Sequence, residues 1–112
     1  MNIFEYHLAQ IKKQILSNKD ILKLDKDENL KSIILEVPPE QFNFDLSCNV
    51  AMVIGKINKL DPKKIALKLK DIFLEKIADF SDVEIAGPGF LNIKLSKSAL
   101  ANHINLIFKD EK

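Results

Sequence analysis

VEIAGPGFLNIKLS, Val83 to Ser96, is the stretch whose reading decides the fold. Val83 and Ile85 alternate with Asp82 and Glu84. Gly87-Pro88-Gly89 turns the chain, and Phe90 to Leu95 alternates again. Period-two patterning on both sides of a Gly-Pro-Gly turn specifies an antiparallel hairpin. Leu91, Ile93 and Leu95 fall on one face of the second strand, where they reach a core. Phe90, Asn92 and Lys94 fall on the other. A ring, an amide and an ammonium in a row suit an unstacked base beside a phosphate. The ring stacks, the amide bonds a base edge and the lysine meets the backbone. The same pattern is served equally by a Phe90 covered by another element and a Lys94 that only solubilises.

Working outward, Ser96 or Ser98 caps a last helix whose Leu100, Ile104, Ile107 and Phe108 face the core. Upstream, Asp61-Pro62 starts a helix, with Asp as N-cap and Pro in the first turn, where its missing N–H costs nothing. Ile65, Leu69, Ile72, Phe73 and Ile77 form its buried stripe, and Lys63, Lys64, Lys68 and Glu75 are solvated. Before it, Asp45 or Ser47 caps a helix with Leu46, Val50, Val53, Ile54 and Ile57 on one face, ending near Asn58. Residues 32–37, SIILEV, read as a strand closed by Pro38 and Pro39, with 40–44 irregular or a short strand. Residues 19–31 read as a polar loop with one helical turn near Ile21 to Leu24. Residues 2–18 form an amphipathic helix through Phe4, Leu8, Ile11 and Ile15. The order is helix, strand, two helices, hairpin, helix. It implies an α+β fold of two layers, with helices on one face of a small antiparallel sheet. The other face is left to solvent or a partner.

The 112 residues make one domain, 1–112, with no repeat or internal linker. All 17 basic residues are lysine, and 16 acids leave a net charge of +1. That balance excludes a binder of nucleic acid that works by electrostatics alone. The lack of arginine excludes a bidentate guanidinium clamp on phosphate or guanine. Lysine, isoleucine and asparagine are abundant together, so codon supply is the simpler source of the missing arginine. Apolar runs are too short for a membrane span, and MNIFEYHLAQ lacks the pattern of a secretory signal. The expectation is a cytoplasmic protein.

Catalytic constellations are scarce. One cysteine, Cys48, forms neither a disulfide framework nor a cysteine zinc site. At a helix start its thiolate would be favoured, which is the basis for an enzyme reading; a small buried cysteine is the simpler one. His7 and His103 are isolated on helices, where histidine is usually a boundary or surface residue, and no metal-spaced pair or phosphate-binding glycine motif occurs.

Val83 to Ser96 also closely resembles the signature V-x-I-A-G-P-G-F-[IL]-N-[IF]-x-[IL] of the N-terminal additional domain of arginyl-tRNA synthetases. VPPEQFNFDLSCNVAMVIGK resembles that family's proline-bearing strand and following block, with Asp45, Asn49, Ala51 and Met52 in place. DPKKIA, Asp61 to Ala66, resembles its next helix start. Phe44 stands where the family usually has glycine, which bears on the local turn. The resemblance implies a four-stranded antiparallel sheet and a domain that touches the tRNA corner at the D-loop. By the same alignment Phe90 supplies a stacking ring, Asn92 a hydrogen-bonding amide and Gly87 the turn position near the nucleotide. Lys94 is added from the strand pattern. Implied partners are tRNA and the remaining domains of the same synthetase, with no DNA and no membrane. The whole enzyme would use ATP and magnesium; this domain needs no cofactor. Its class I chemistry requires a HIGH-type motif and usually a KMSKS-type loop. Neither is read in these residues, so the stretch is expected to bind and not to catalyse. The alternative is a protein–protein or domain-packing module that uses the open sheet face.

Overall fold

The long strand β4 (Phe90–Leu95) is paired along both edges, by Leu46–Cys48 on one side and Phe80–Ala86 on the other. The computed structural model describes residues 3–24, 30–39 and 43–101. In chain order its elements are α1 (Ile3–Ser17), α2 (Lys19–Leu22), a 3-10 turn (Leu30–Ser32), β1 (Leu35–Glu36), β2 (Leu46–Cys48), α3 (Val50–Asn58), α4 (Pro62–Lys76), β3 (Phe80–Ala86) and β4. A further helix occupies 97–101. The strands lie in the order β1-β2-β4-β3, and every pair is antiparallel. Leu46, Cys48, Val83, Leu91, Ile93 and Leu95 point to one side. There they join Ile11 and Ile15 of α1, Val50, Ala51 and Ile54 of α3, and Ile65, Leu69 and Phe73 of α4 in one buried cluster. The α+β reading, with helices over one sheet face, is therefore correct.

Two segments differ from the sequence reading. Residues 46–48 are not the start of a helix; they are β2, the strand that covers the second edge of β4. Leu46 satisfies a helical period with Val50, Val53, Ile54 and Ile57, but also a strand period with Cys48. Pairing to β4 selects the second. Asp45 fixes the choice: its N–H donates to the Ile93 carbonyl at 2.9 Å, and its carboxylate accepts the Leu95 N–H at 2.8 Å. The helix then starts after Asn49, four residues later than Asp45.

The strand expected over 32–37 is reduced to Leu35–Glu36. Leu30–Ser32 closes a 3-10 turn, with the Ile33 N–H on the Leu30 carbonyl at 3.1 Å. The next N–H, of Ile34, goes to the Asn49 side-chain oxygen at 2.8 Å, while the Asn49 amide donates to the Ser32 carbonyl at 3.2 Å. A side chain thus satisfies the backbone groups that would have lengthened the ladder. Pro38 and Pro39 prevent extension at the other end. Phe44 carries no left-handed strain, because the positive φ in this region falls on Asn43, at 53°.

The helices follow their sequence signals closely. Asp61 caps α4, accepting the Lys63 N–H at 3.0 Å with Pro62 behind it. Ser96, not Ser98, caps the last helix, accepting the Ala99 N–H at 3.1 Å. Lys68 is less solvated than expected, since its ammonium donates to the Ile21 carbonyl at 3.3 Å. Leu100 packs against the core; Ile104, Ile107, Phe108 and His103 lie outside the described residues. His7 is not at a boundary. It is 0% exposed, its Nδ1 lies 3.0 Å from the Ile3 carbonyl, and its Nε2 lies 3.1 Å from the Asp79 carboxylate. Both ring nitrogens face oxygen acceptors, so the histidine fastens α1 to the turn between α4 and β3.

Asp45→Ala removes the acceptor that holds the end of β4 and is expected to cost about 1–3 kcal/mol. Urea unfolding measures this as a lower midpoint, and Asp45→Asn, which keeps an acceptor oxygen, recovers most of it.

Candidate nucleic-acid interface

The hairpin turn owes its shape to two glycines. Gly87 has φ +57° and Gly89 φ +140°, and the Gly89 N–H closes the turn on the Ala86 carbonyl at 3.3 Å. Around Gly87 there is space: an added Cβ would meet only the Phe90 ring, at 3.9 Å. At Gly89 there is none, since a Cβ would lie 3.0 Å from the Pro62 Cβ and 3.4 Å from the Met52 Cγ. The turn is therefore seated on the α3–α4 junction, and the strand that follows it is aimed by that seat.

The register then builds the open face. Ser47 is opposite Asn92, Glu36 is opposite Ser47, and Glu84 is opposite Asn92 on the other side. Glu36, Ser47, Asn92 and Glu84 thus form one cross-strand row, where neighbours stand about 5 Å apart. Phe90 lies two residues along β4, opposite Ala86, and Lys94 lies opposite Asp82. Of the four residues singled out in the sequence, Gly87 lies at the turn, and Phe90, Asn92 and Lys94 alternate along one face of β4.

Their exposures are not alike. Phe90 is 37% exposed. Asn92, on the central strand between β2 and β3, is only 7% exposed. Its carboxamide has no hydrogen-bond partner among the described residues. A buried polar group without a partner is uncommon and costs about 1–3 kcal/mol. The Lys94 ammonium is turned aside and donates to the Asn43 carbonyl at 3.4 Å.

Beside Phe90 the same face holds a hollow of about 210 Å³, lined by Ile34, Glu36, Ser47, Asn49, Met52 and the Phe90 ring. Sequence reasoning missed Glu36, Ser47 and Met52 as site residues. The signal was the strand identity of 46–48, which places Ser47 next to Asn92 and Glu36 next to Ser47.

Other chemistry is weak. Cys48 faces the core on β2, and burial pushes its thiol up to about 12, against smaller lowering contributions from the Val50 and Asn49 backbone N–H groups. The thiol stays protonated near neutral pH, which removes the basis for a nucleophile. Among the described residues no three His, Cys, Asp or Glu side chains cluster as a metal site, and no helix is long and apolar enough to cross a membrane. One string qualifies the sequence reading: Lys94-Leu95-Ser96-Lys97-Ser98 departs from KMSKS only at Leu95. In the structure it is the end of β4 and the cap of the last helix, with Leu95 buried and Ser96 engaged as the cap.

Comparison with known proteins is consistent over most of the chain. Residues 7–95 match the family model described as the arginyl tRNA synthetase N terminal domain. The arginine–tRNA ligase of Pelagibacter ubique is 36% identical over 115 residues, covering 100% of this chain and 19% of that protein. Arginine–tRNA ligase 1 of Halalkalibacterium halodurans is 33% identical over 111 residues, covering 99% of this chain and 20% of that one. The chain therefore spans about a fifth of the length of these relatives. Among solved structures, arginyl-tRNA synthetase from Plasmodium falciparum shares the fold, with a TM-score of 0.62 at 19% identity over 93% of this chain and 18% of that one.

Two outcomes follow from the turn and the thiol. Gly89→Ala is expected to lower the thermal midpoint more than Gly87→Ala, whose left-handed φ costs only about 1–2 kcal/mol. Native Cys48 is expected to react with iodoacetamide at pH 7 far more slowly than a free thiol, and at the free rate after unfolding. Because the folded pKa is raised, the stability linked to this thiol is complete below pH 9, the ordinary cysteine value, and falls as pH rises toward 12.

Proposed function

Because the chain belongs to the arginyl-tRNA synthetase N-terminal domain family, we propose that it is the accessory, RNA-contacting part of an arginine–tRNA ligase, with its open sheet face against the D-loop corner of the tRNA. Residues 1–112 act as one such domain. Arginine activation with ATP and magnesium, and transfer to tRNA, belong to the remaining domains of the ligase, which are this domain's other partners. The domain itself binds and does not catalyse.

One observation carries the reading: the nearly buried, unpartnered Asn92 carboxamide lies beside the part-exposed Phe90 ring. A bound base would satisfy the amide through its hydrogen-bonding edge and cover the ring by stacking. Gly87, with open space at its α-carbon, lets backbone approach the nucleotide closely. Lys94 must leave the Asn43 carbonyl to reach a phosphate, and that carbonyl holds it only at 3.4 Å. With a net charge of +1 the interaction is weak, and it is salt-sensitive through the phosphates that lysine meets.

A second reading has its own support. Ile34 and Val37, 45% and 69% exposed, flank the short edge strand β1 and suit a protein neighbour. The two readings separate on Phe90. If the face meets RNA, Phe90→Ala weakens tRNA binding by about 1–3 kcal/mol in a fluorescence titration, and replacing the D-loop has a similar effect. Parent-like binding by Phe90→Ala would sink the stacking role and leave the packing module standing.

A further inference from the structure

We propose that the groove between α2 and the first turns of α4 is a docking site for an acidic peptide segment anchored by one aliphatic side chain. The groove belongs to the helical layer, not to the open sheet face, and the assignment is independent of the RNA-contacting reading.

The groove has an apolar floor and a basic rim. Leu22, Leu60 and Ile65 form the floor of a hollow of about 160 Å³. Lys23, at the end of α2, and Lys64 and Lys68, on α4, surround it. Lys23 and Lys64 are exposed. Lys68 is half-buried and donates to the Ile21 carbonyl at 3.3 Å. Two more aliphatic side chains are each 58% exposed: Ile21, which precedes Leu22, and Leu67, one turn on from Lys64.

The three ammonium groups are uncompensated. Among the described residues none has a carboxylate within ion-pair distance, although α2 and α4 also carry Asp20 and Asp71. Lys64 and Lys68 are four residues apart on one helix, where like charges repel. The acid in the lining, Asp61, already caps α4.

Size and chemistry select the occupant. Pockets for small molecules begin near about 300 Å³, so this hollow holds one side chain rather than a cofactor. A nucleic-acid backbone is the poorer match. The floor is aliphatic, and the Asp61 carboxylate accepts the Lys63 N–H at 3.0 Å, filling the helix start where an anion would otherwise sit. An acidic peptide satisfies both parts of the groove. Its aliphatic side chain fills the hollow, and flanking Asp or Glu side chains meet the lysines at the rim, an apolar anchor inside a charged ring.

The test uses the whole 112-residue chain with labelled isoleucine and leucine methyl groups. The probe is a peptide with blocked ends, Asp-Glu-Leu-Glu-Asp. It is expected to shift the Leu60 and Ile65 methyls saturably. Replacing its leucine by alanine is expected to weaken binding about tenfold, and replacing its acids by lysine to abolish it. Lys64→Glu and Lys23→Glu are each expected to weaken binding about fivefold. Lys13→Glu, the same change at an exposed position of α1, leaves binding unchanged. Spectra without peptide report that each variant is folded. The assignment is overturned if the methyls do not move, if the three peptides bind alike, or if Lys64→Glu and Lys23→Glu bind as the parent does. It is overturned too if oligouridylate shifts these methyls more than the peptide does, which makes the occupant RNA. A shift on concentrating the protein alone makes the occupant a second copy and overturns it as well.

Discussion

The constraint on which the molecule depends is that β4 has no free edge. A strand bonded on both sides must resolve its side chains by face, with no intermediate positions. Leu91, Ile93 and Leu95 go to the helices and are almost completely buried. Phe90, Asn92 and Lys94 go to the other side. The turn before β4 cannot slide, because Gly89 is pressed against Pro62, and its far end cannot fray while Asp45 accepts the Leu95 N–H. A one-residue slip would put Asn92 in the core and Leu91 or Ile93 in solvent. The pins at both ends therefore protect the site as much as the fold.

That constraint also explains what was legible in the sequence. Wherever one period dominated, the residues could be read directly: the α4 stripe from Ile65 to Phe73, the Asp61-Pro62 start, the Gly-Pro-Gly hairpin and the two faces of β4. Leu46 was not legible, because it satisfies a helical and a strand period equally well and only long-range pairing to Ile93 decides. The burial of Asn92 depended on the same point. With β2 read as helix, β4 would be an edge strand and Asn92 would stand in water. Ile34 shows a different limit: its β-branched neighbours promised a longer strand, but an asparagine 15 residues away takes its N–H.

His7 illustrates why single polar residues resist sequence reading. An isolated histidine on an apolar helix face has no local partner to announce it. Its carboxylate comes from Asp79, 72 residues on, delivered by the turn out of α4. Cys48 was ambiguous in the other direction. A place near a helix start suggested an ionised thiol, but strand β2 turns the sulfur inward, and desolvation outweighs the backbone N–H groups. In both cases the deciding contribution is the environment assembled by distant segments. The candidate site itself was recoverable in part: the β4 residues were visible as an alternating pattern, while Glu36 and Ser47 came into view only with the register of β1 and β2.

The shortness of β1 has a consequence of its own. An outer strand normally offers a row of free amides and carbonyls to any passing chain. Here the donor of Ile34 is already taken by Asn49, four residues later the chain meets Pro38 and Pro39, and only Leu35 and Glu36 remain in the ladder. The opposite margin, β3, exposes Asp82 and Glu84, and their charge resists a fifth strand. A sheet so bounded does not grow by addition of another copy. The apolar Ile34 and Val37 can stay exposed near the site without making the protein a template for its own aggregation.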